Sequence, residues 1–214
     1  MARWAEKSFA FESAFHAYCR RYLAPEIHYF SGLMHLWEIQ IVERFARHPK
    51  YFPVLLSCNK PVAQSWCRRC PKCAVTYLLL SAFVDPAEVQ AIFGEELFAR
   101  AELEPAFQAI LGVVGDKPLE CVCTPEEAVL AARRAAQRIA AAGAPLPGLL
   151  ARALAGTAAV VIDEAARANP LDAFGWGARA PALGSAYAAI ADDSAAGFSG
   201  FSSEPAGMRT SMRS

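Results

Sequence analysis

Four cysteines stand within sixteen positions of one another: Cys58, Cys67, Cys70 and Cys73, spaced Cys-x8-Cys-x2-Cys-x2-Cys. A tetrahedral zinc ion needs four soft donors converging at about 2.3 Å. A Cys-x2-Cys turn aims two thiolates at one metal, two overlapping turns supply three, and the eight-residue loop returns with the fourth. Four sulfurs leave no open coordination position, so the expected role is structural, not catalytic. An iron–sulfur cluster uses the same donors and is the competing assignment. Arg68, Arg69 and Lys72 interleave with the ligands and offset the formal −2 charge of a tetrathiolate zinc centre.

The elements that must position this cluster read as helices. Ser8 to Leu23 carries Phe11, Phe15, Tyr18, Cys19 and Tyr22 at helical spacing, and Leu33 to Arg47 carries Met34, Trp37, Ile41 and Phe45. Tyr51 to Leu56 is a short apolar run that suits a buried strand, against the presence of Pro53. Ala74 to Val84 predicts a buried helix. Asp85-Pro86-Ala87-Glu88 and Thr124-Pro125-Glu126-Glu127 are both helix starts, the second opening an Ala/Arg helix that stops at Gly143. A last helix is expected between Pro147 and Ala168, broken near Gly156. The fold class is therefore mainly α with a four-cysteine zinc loop. The expected organisation is residues 1–143 with the cluster, an Ala/Gly-rich helical extension over 144–191, and a disordered Gly/Ser-rich tail over 192–214.

Composition limits the function. The 214 residues carry 21 Lys+Arg against 21 Asp+Glu, and 55% are hydrophobic. That apolar content excludes wholesale disorder, and the charge balance argues against a nucleic-acid binder. No apolar run reaches membrane-spanning length, and Met-Ala-Arg-Trp-Ala-Glu-Lys lacks the apolar core of a signal peptide. The expected location is cytoplasmic.

Several segments resemble known families. The cluster is similar to the zinc site of the PP-loop ATP-pyrophosphatases that make 7-cyano-7-deazaguanine. A fuller match is to the bacterial UDP-N-acetylmuramoyl-L-alanyl-L-glutamate epimerases. Four segments carry it in order: Arg21-Tyr22-Leu23-Ala24-Pro25 with Tyr29-Phe30-Ser31; Tyr51-Phe52-Pro53-Val54; Ser57-Cys58-Asn59 with Trp66-Cys67-x-x-Cys70-Pro71-Lys72-Cys73; and Gly115-x-Lys117-Pro118-x-Glu120-Cys121-Val122. The resemblance covers about Trp4 to Ala140; a PP-loop enzyme acting on a base or nucleotide, such as a deazaguanine synthase, is a third and weaker reading, because the other three segments are not part of that pattern.

The resemblance implies inversion of the terminal L-glutamate of UDP-MurNAc-L-Ala-L-Glu to D-glutamate in peptidoglycan synthesis, with ATP and Mg²⁺. Adenylating the carboxylate removes its charge, and the neighbouring α-proton can then be taken by a base and returned on the other face. Cys121 is the candidate base, since a thiol near a helix start has a lowered pKa. Lys117, Glu120 and Arg21 are candidate substrate contacts, although Arg20 and Arg21 also suit a plain helix C-terminus. The family's Ser-Gly-Gly-x-Asp-Ser phosphate loop is not present, for the chain contains no Gly-Gly pair. The chain thus resembles the C-terminal part of an α/β PP-loop enzyme, with no ATP-binding residues of its own. A late gene start, a truncated gene or a separate N-terminal polypeptide would account for this. Cys123 stands where the family is expected to place Gly, which suggests relaxed constraint. The alternative reading is a stand-alone zinc-stabilised binding module or an inactive remnant. His16, His28, His35 and His48 show no metal spacing. Glu12, Glu38, Arg133, Arg134 and Arg138 read as solvated helix faces.

Overall fold

A computed structural model describes residues 9–26, 33, 36–115 and 123–162. Two compact units divide the chain: 36–170, and a second made of 1–35 with 171–214. Among the described residues there is no strand, only an isolated bridge between Val62 and Ser65. The mainly helical class holds.

The described part of the second unit is α1 (Phe9–Tyr18), running into a π-helical turn over Cys19–Leu23. Phe11 stacks on Phe15, and Tyr18 meets Tyr22 at a tilt of 41°, as neighbours four positions apart on a helix can. The periodic segment is thus helical, but it widens where Arg20 and Arg21 end it.

The 36–170 unit is built around α3 (Pro71–Ser81). This helix buries Cys73, Ala74, Val75 and every residue from Tyr77 to Ser81. It starts three positions earlier than the apolar run suggested, because Pro71 pre-sets the first helical φ without wasting an N–H. Four other helices pack against it: α2 (Glu38–Phe45), α4 (Pro86–Phe93), α5 (Glu104–Ile110) and α6 (Pro125–Ala141). The contact between α3 and α6 is the most extensive. Ala128, Ala131, Ala132 and Ala135 are wholly buried there, and their small side chains admit close helix approach. Finally, α7 (Gly148–Gly156) lies on α5 and α6.

The helix starts behave as their sequences predict. Asp85 Oδ1 accepts from the Ala87 N–H at 2.9 Å. Thr124 and Glu127 form a reciprocal capping box, with Glu127 N–H to Thr124 Oγ1 at 3.2 Å and Thr124 N–H to Glu127 Oε2 at 2.7 Å. The α6 helix ends at Ala141, and Gly143 takes the left-handed φ of 70° just beyond it.

Two sequence expectations need correction. Tyr51 to Leu56 is not a buried strand. Pro49–Val54 forms a 3₁₀ turn, with Tyr51, Val54 and Leu56 exposed. Two prolines in five residues fix φ near helical values and remove ladder donors, which favours the turn. The arginines of α6 are not simply solvated. Arg133 donates to the carbonyls of Thr157 (3.3 Å) and Val160 (2.8 Å), and Arg138 to that of Val84 (3.3 Å). Arg134 lies 5.4 Å over the Phe83 ring. Cys123 is 1% exposed and belongs to the core, so its thiol fills space that a glycine would leave open.

Candidate metal centre

The cysteine loop is shaped by its backbone before any metal is considered. Val62 and Ser65 exchange both backbone hydrogen bonds, at 3.0 and 2.9 Å. Ala63 and Gln64 between them have φ of 47° and 58°, so the chain reverses in a two-residue turn of the type that needs two positive φ values. Arg68, just after Cys67, has φ of 60°. Three non-glycine residues in this region within six positions are costly, and something must hold them.

The four sulfurs are what this geometry brings together. All four Sγ atoms lie within 4.8 Å of one another. The Cys70–Cys73 separation is 3.5 Å, Cys67–Cys73 is 3.7 Å and Cys58–Cys70 is 4.0 Å. A tetrahedron of sulfurs 2.3 Å from a central zinc has an edge of about 3.8 Å. A disulfide would need about 2.05 Å, and all four are free thiols. A polynuclear cluster places cysteines on separate irons, so sulfurs this close suit one ion at their centre. The donor set therefore fits a single closed thiolate site.

Local groups prepare the sulfurs for charge. Cys58 Sγ accepts the N–H groups of Lys60 (3.3 Å) and Cys67 (3.4 Å). Cys70 is the N-cap of α3 and Cys73 sits in its first turn, where the helix dipole favours a thiolate. Without a cation the four cannot all ionise. Burial pushes the Cys70 and Cys73 thiols above their ordinary value; the Cys67 and Cys58 sulfurs add to this at Cys70, and those of Cys70 and Cys58 at Cys73. Burial also raises Cys67, but backbone hydrogen bonding at Arg69 and contacts from Cys58 and Cys70 outweigh it and bring that thiol down to about 6.

An aromatic series ties the loop to the core. Trp66, immediately before Cys67, is 3% exposed and its ring centroid lies 4.3 Å from that of Phe93. Phe93 meets Tyr77 edge-on at 5.0 Å, Tyr77 meets Phe98 at 5.0 Å, and Phe98 meets Phe107 at 5.3 Å. The Tyr77 hydroxyl donates to Glu96 Oε1 at 2.8 Å. The cysteine loop is thus packed into the helical unit through side chains as well as through α3.

Of the other candidate residues, Lys117, Glu120 and Cys121 lie outside the described residues, as do His28 and His35. Arg21 is exposed in the π turn, its guanidinium 5.3 Å over the Tyr22 ring. It belongs to the unit that does not contain the cluster. Two features escaped the sequence reading. Glu127 Oε1, besides its capping-box role, accepts the Ile39 N–H at 3.1 Å across 88 positions, so one buried carboxylate serves the starts of α2 and α6. Its pairing within α6 was legible, but its reach to α2 was not. The second feature is a chain of charges, Arg68–Glu95–Arg100–Glu102, running beside the cluster.

Residues 54–165 match the family described as MurL C-terminal domain. Three curated proteins called UDP-N-acetyl-alpha-D-muramoyl-L-alanyl-L-glutamate epimerase are similar to the chain. The one from Micromonospora is 37% identical over 135 residues, covering 61% of this chain and 30% of its own length. That from Salinispora tropica is 40% identical over 108 residues, covering 48% and 24%. That from Xanthomonas oryzae is 35% identical over 144 residues, covering 61% and 32%. The chain spans about a third or less of each relative. No solved structure matches it. Among the described residues no helix is long and apolar enough to cross a membrane.

Proposed function

We propose, on the premise that this chain belongs to the MurL C-terminal domain family, that it serves as the metal-stabilised C-terminal part of an enzyme inverting the terminal glutamate of UDP-MurNAc-L-Ala-L-Glu. The observation that carries the reading is the family match over 54–165 together with three relatives that share one epimerase name. The reaction is ATP- and Mg²⁺-dependent in this reading. Activation of the glutamate carboxylate removes its charge and acidifies the neighbouring α-proton. The nucleotide-binding residues reside in an N-terminal PP-loop α/β portion, in cis or as a separate chain, since these 214 residues contain no Gly-Gly loop for phosphate.

Within this chain, Cys58, Cys67, Cys70 and Cys73 hold one structural zinc. The ion fixes a backbone-strained loop onto the first turn of the central helix and supplies no open coordination position for chemistry. Residues 1–143 form the epimerase-like region, with 144–191 as an extension and 192–214 as a tail. Lys117, Glu120 and Arg21 contact substrate and Cys121 handles the α-proton. The enzyme works in the cytoplasm, away from nucleic acid and membrane.

Replacing the corresponding segment of the Micromonospora relative with residues 54–165 of this chain tests the reading. Chiral analysis of the glutamate after incubation with the UDP-dipeptide and Mg-ATP is expected to show D-glutamate. The 214-residue chain alone is expected to release no pyrophosphate. A folded, zinc-loaded chimera that leaves glutamate wholly L would contradict the proposal. It would favour the second reading, a zinc-stabilised binding module without catalysis. That reading draws its support from the closed four-sulfur site, which leaves no coordination position open for chemistry.

A further inference from the structure

A cleft of about 740 Å³ opens beside the cysteine loop, with Lys60, Arg68, Arg69, Arg100, Glu95 and Trp66 in its walls. Its charges fall into two groups. Arg68 and Arg100 are matched by acids: Glu95 lies 3.7 Å from the first and 2.6 Å from the second, and Glu102 also pairs with Arg100. These pairs fix the wall in place. Among the described residues neither Lys60 nor Arg69 has a carboxylate within ion-pair distance. Against the formal −2 of a filled tetrathiolate centre stand Lys60, Arg69 and roughly half a positive charge at the α3 N-terminus. The cleft therefore keeps an excess of positive charge even with zinc bound.

We propose that this cleft binds a diphosphate group, and that the metal centre's task is to shape it. The inference rests on the epimerase reading for the identity of the natural ligand, which in that reading is a nucleotide diphosphate. The Arg69 guanidinium fork matches a pair of phosphate oxygens, Lys60 adds a mobile point charge, and the volume accommodates a diphosphate with an attached ring. Lys60 follows ligand Cys58 by two positions, and Arg68 and Arg69 lie between ligands Cys67 and Cys70. Metal occupancy thus sets where three of the four cations stand.

Calorimetric titration of the zinc-loaded 214-residue chain with inorganic pyrophosphate, UDP and ADP tests this. Zinc content is measured before and after, because pyrophosphate itself binds zinc. Saturable binding of pyrophosphate is expected, weakened about tenfold by Lys60→Ala or Arg69→Ala and unchanged by Arg47→Ala, an exposed arginine just beyond α2. UDP binding more tightly than ADP would identify the diphosphate as that of the sugar nucleotide. The reverse order would identify it as that of the adenine nucleotide. Equal affinities in Lys60→Ala, Arg69→Ala and the unaltered chain would overturn the proposal. So would absence of binding at millimolar pyrophosphate with zinc in place, leaving these cations only to balance thiolate charge. The two readings can fail separately. Pyrophosphate binding through Lys60 and Arg69 with an inactive chimera sinks the epimerase reading alone. An active chimera whose KM for the UDP-dipeptide and for ATP ignores both substitutions sinks the cleft alone.

Discussion

Each cysteine ligand has to surrender a proton to bind metal. Burial holds Cys70 and Cys73 above the ordinary thiol value, so both are protonated at neutral pH in the metal-free protein. Zinc uptake must then expel at least these two protons. Apparent affinity should rise with pH, by no less than about a hundredfold per unit between pH 7 and 8. Competition against a chromophoric chelator at several pH values would show it, and a flat profile would mean the thiols are already ionised. Glu127 is the other residue on which much depends. Glu127→Ala would leave the donors at Ile39 and Thr124 without their carboxylate in a buried place, costing about 3 kcal/mol. Glu127→Gln, which keeps one acceptor, should cost less. Urea unfolding of both variants with equal midpoints would refute this role. At this scale the cluster was legible because its spacing is local: three ligands fall within seven positions. Glu127's bond to Ile39 was not, because 88 residues separate the partners and nothing in either segment signals the other.

Among the elements, the helices announced themselves wherever a cap, a proline and a period coincided, as at Asp85 and Thr124. The Tyr51–Leu56 run misled because hydrophobicity alone does not separate a strand from a short turn whose side chains remain exposed. The α6 arginines misled for another reason. A cation on an alanine-rich helix reads as solvated, yet Arg133 and Arg138 reach terminal carbonyls 24 to 54 positions away. The two-residue turn between Val62 and Ser65 makes its own prediction. Ala63 and Gln64 hold positive φ without the residues that tolerate it. Replacing them with Asn and Gly should stabilise the zinc-loaded domain by about 1 kcal/mol, read as a higher melting temperature. A lower melting temperature would show that these side chains make contacts worth more than the backbone relief.

For the whole molecule, the sequence indicated a helical body and a metal loop as separate features. The structure shows that they are one. Trp66 enters the aromatic series through Phe93, and Cys70 and Cys73 open the helix around which α2, α4, α5 and α6 pack. Stripping the metal should therefore lower the stability of the 36–170 unit as well as that of the loop, and expose Trp66 with a red shift of its fluorescence. Removing one ligand as Cys73→Ser should do the same in the presence of excess zinc. In the proposed reading one ion sits among the four sulfurs and organises this domain. X-ray absorption at the zinc edge, on anaerobically purified protein of known metal content, tests it most directly. One zinc per chain with four sulfurs at about 2.3 Å is the predicted result. Less than half an equivalent, oxygen or nitrogen in the first shell, or iron with inorganic sulfide in its place would contradict it.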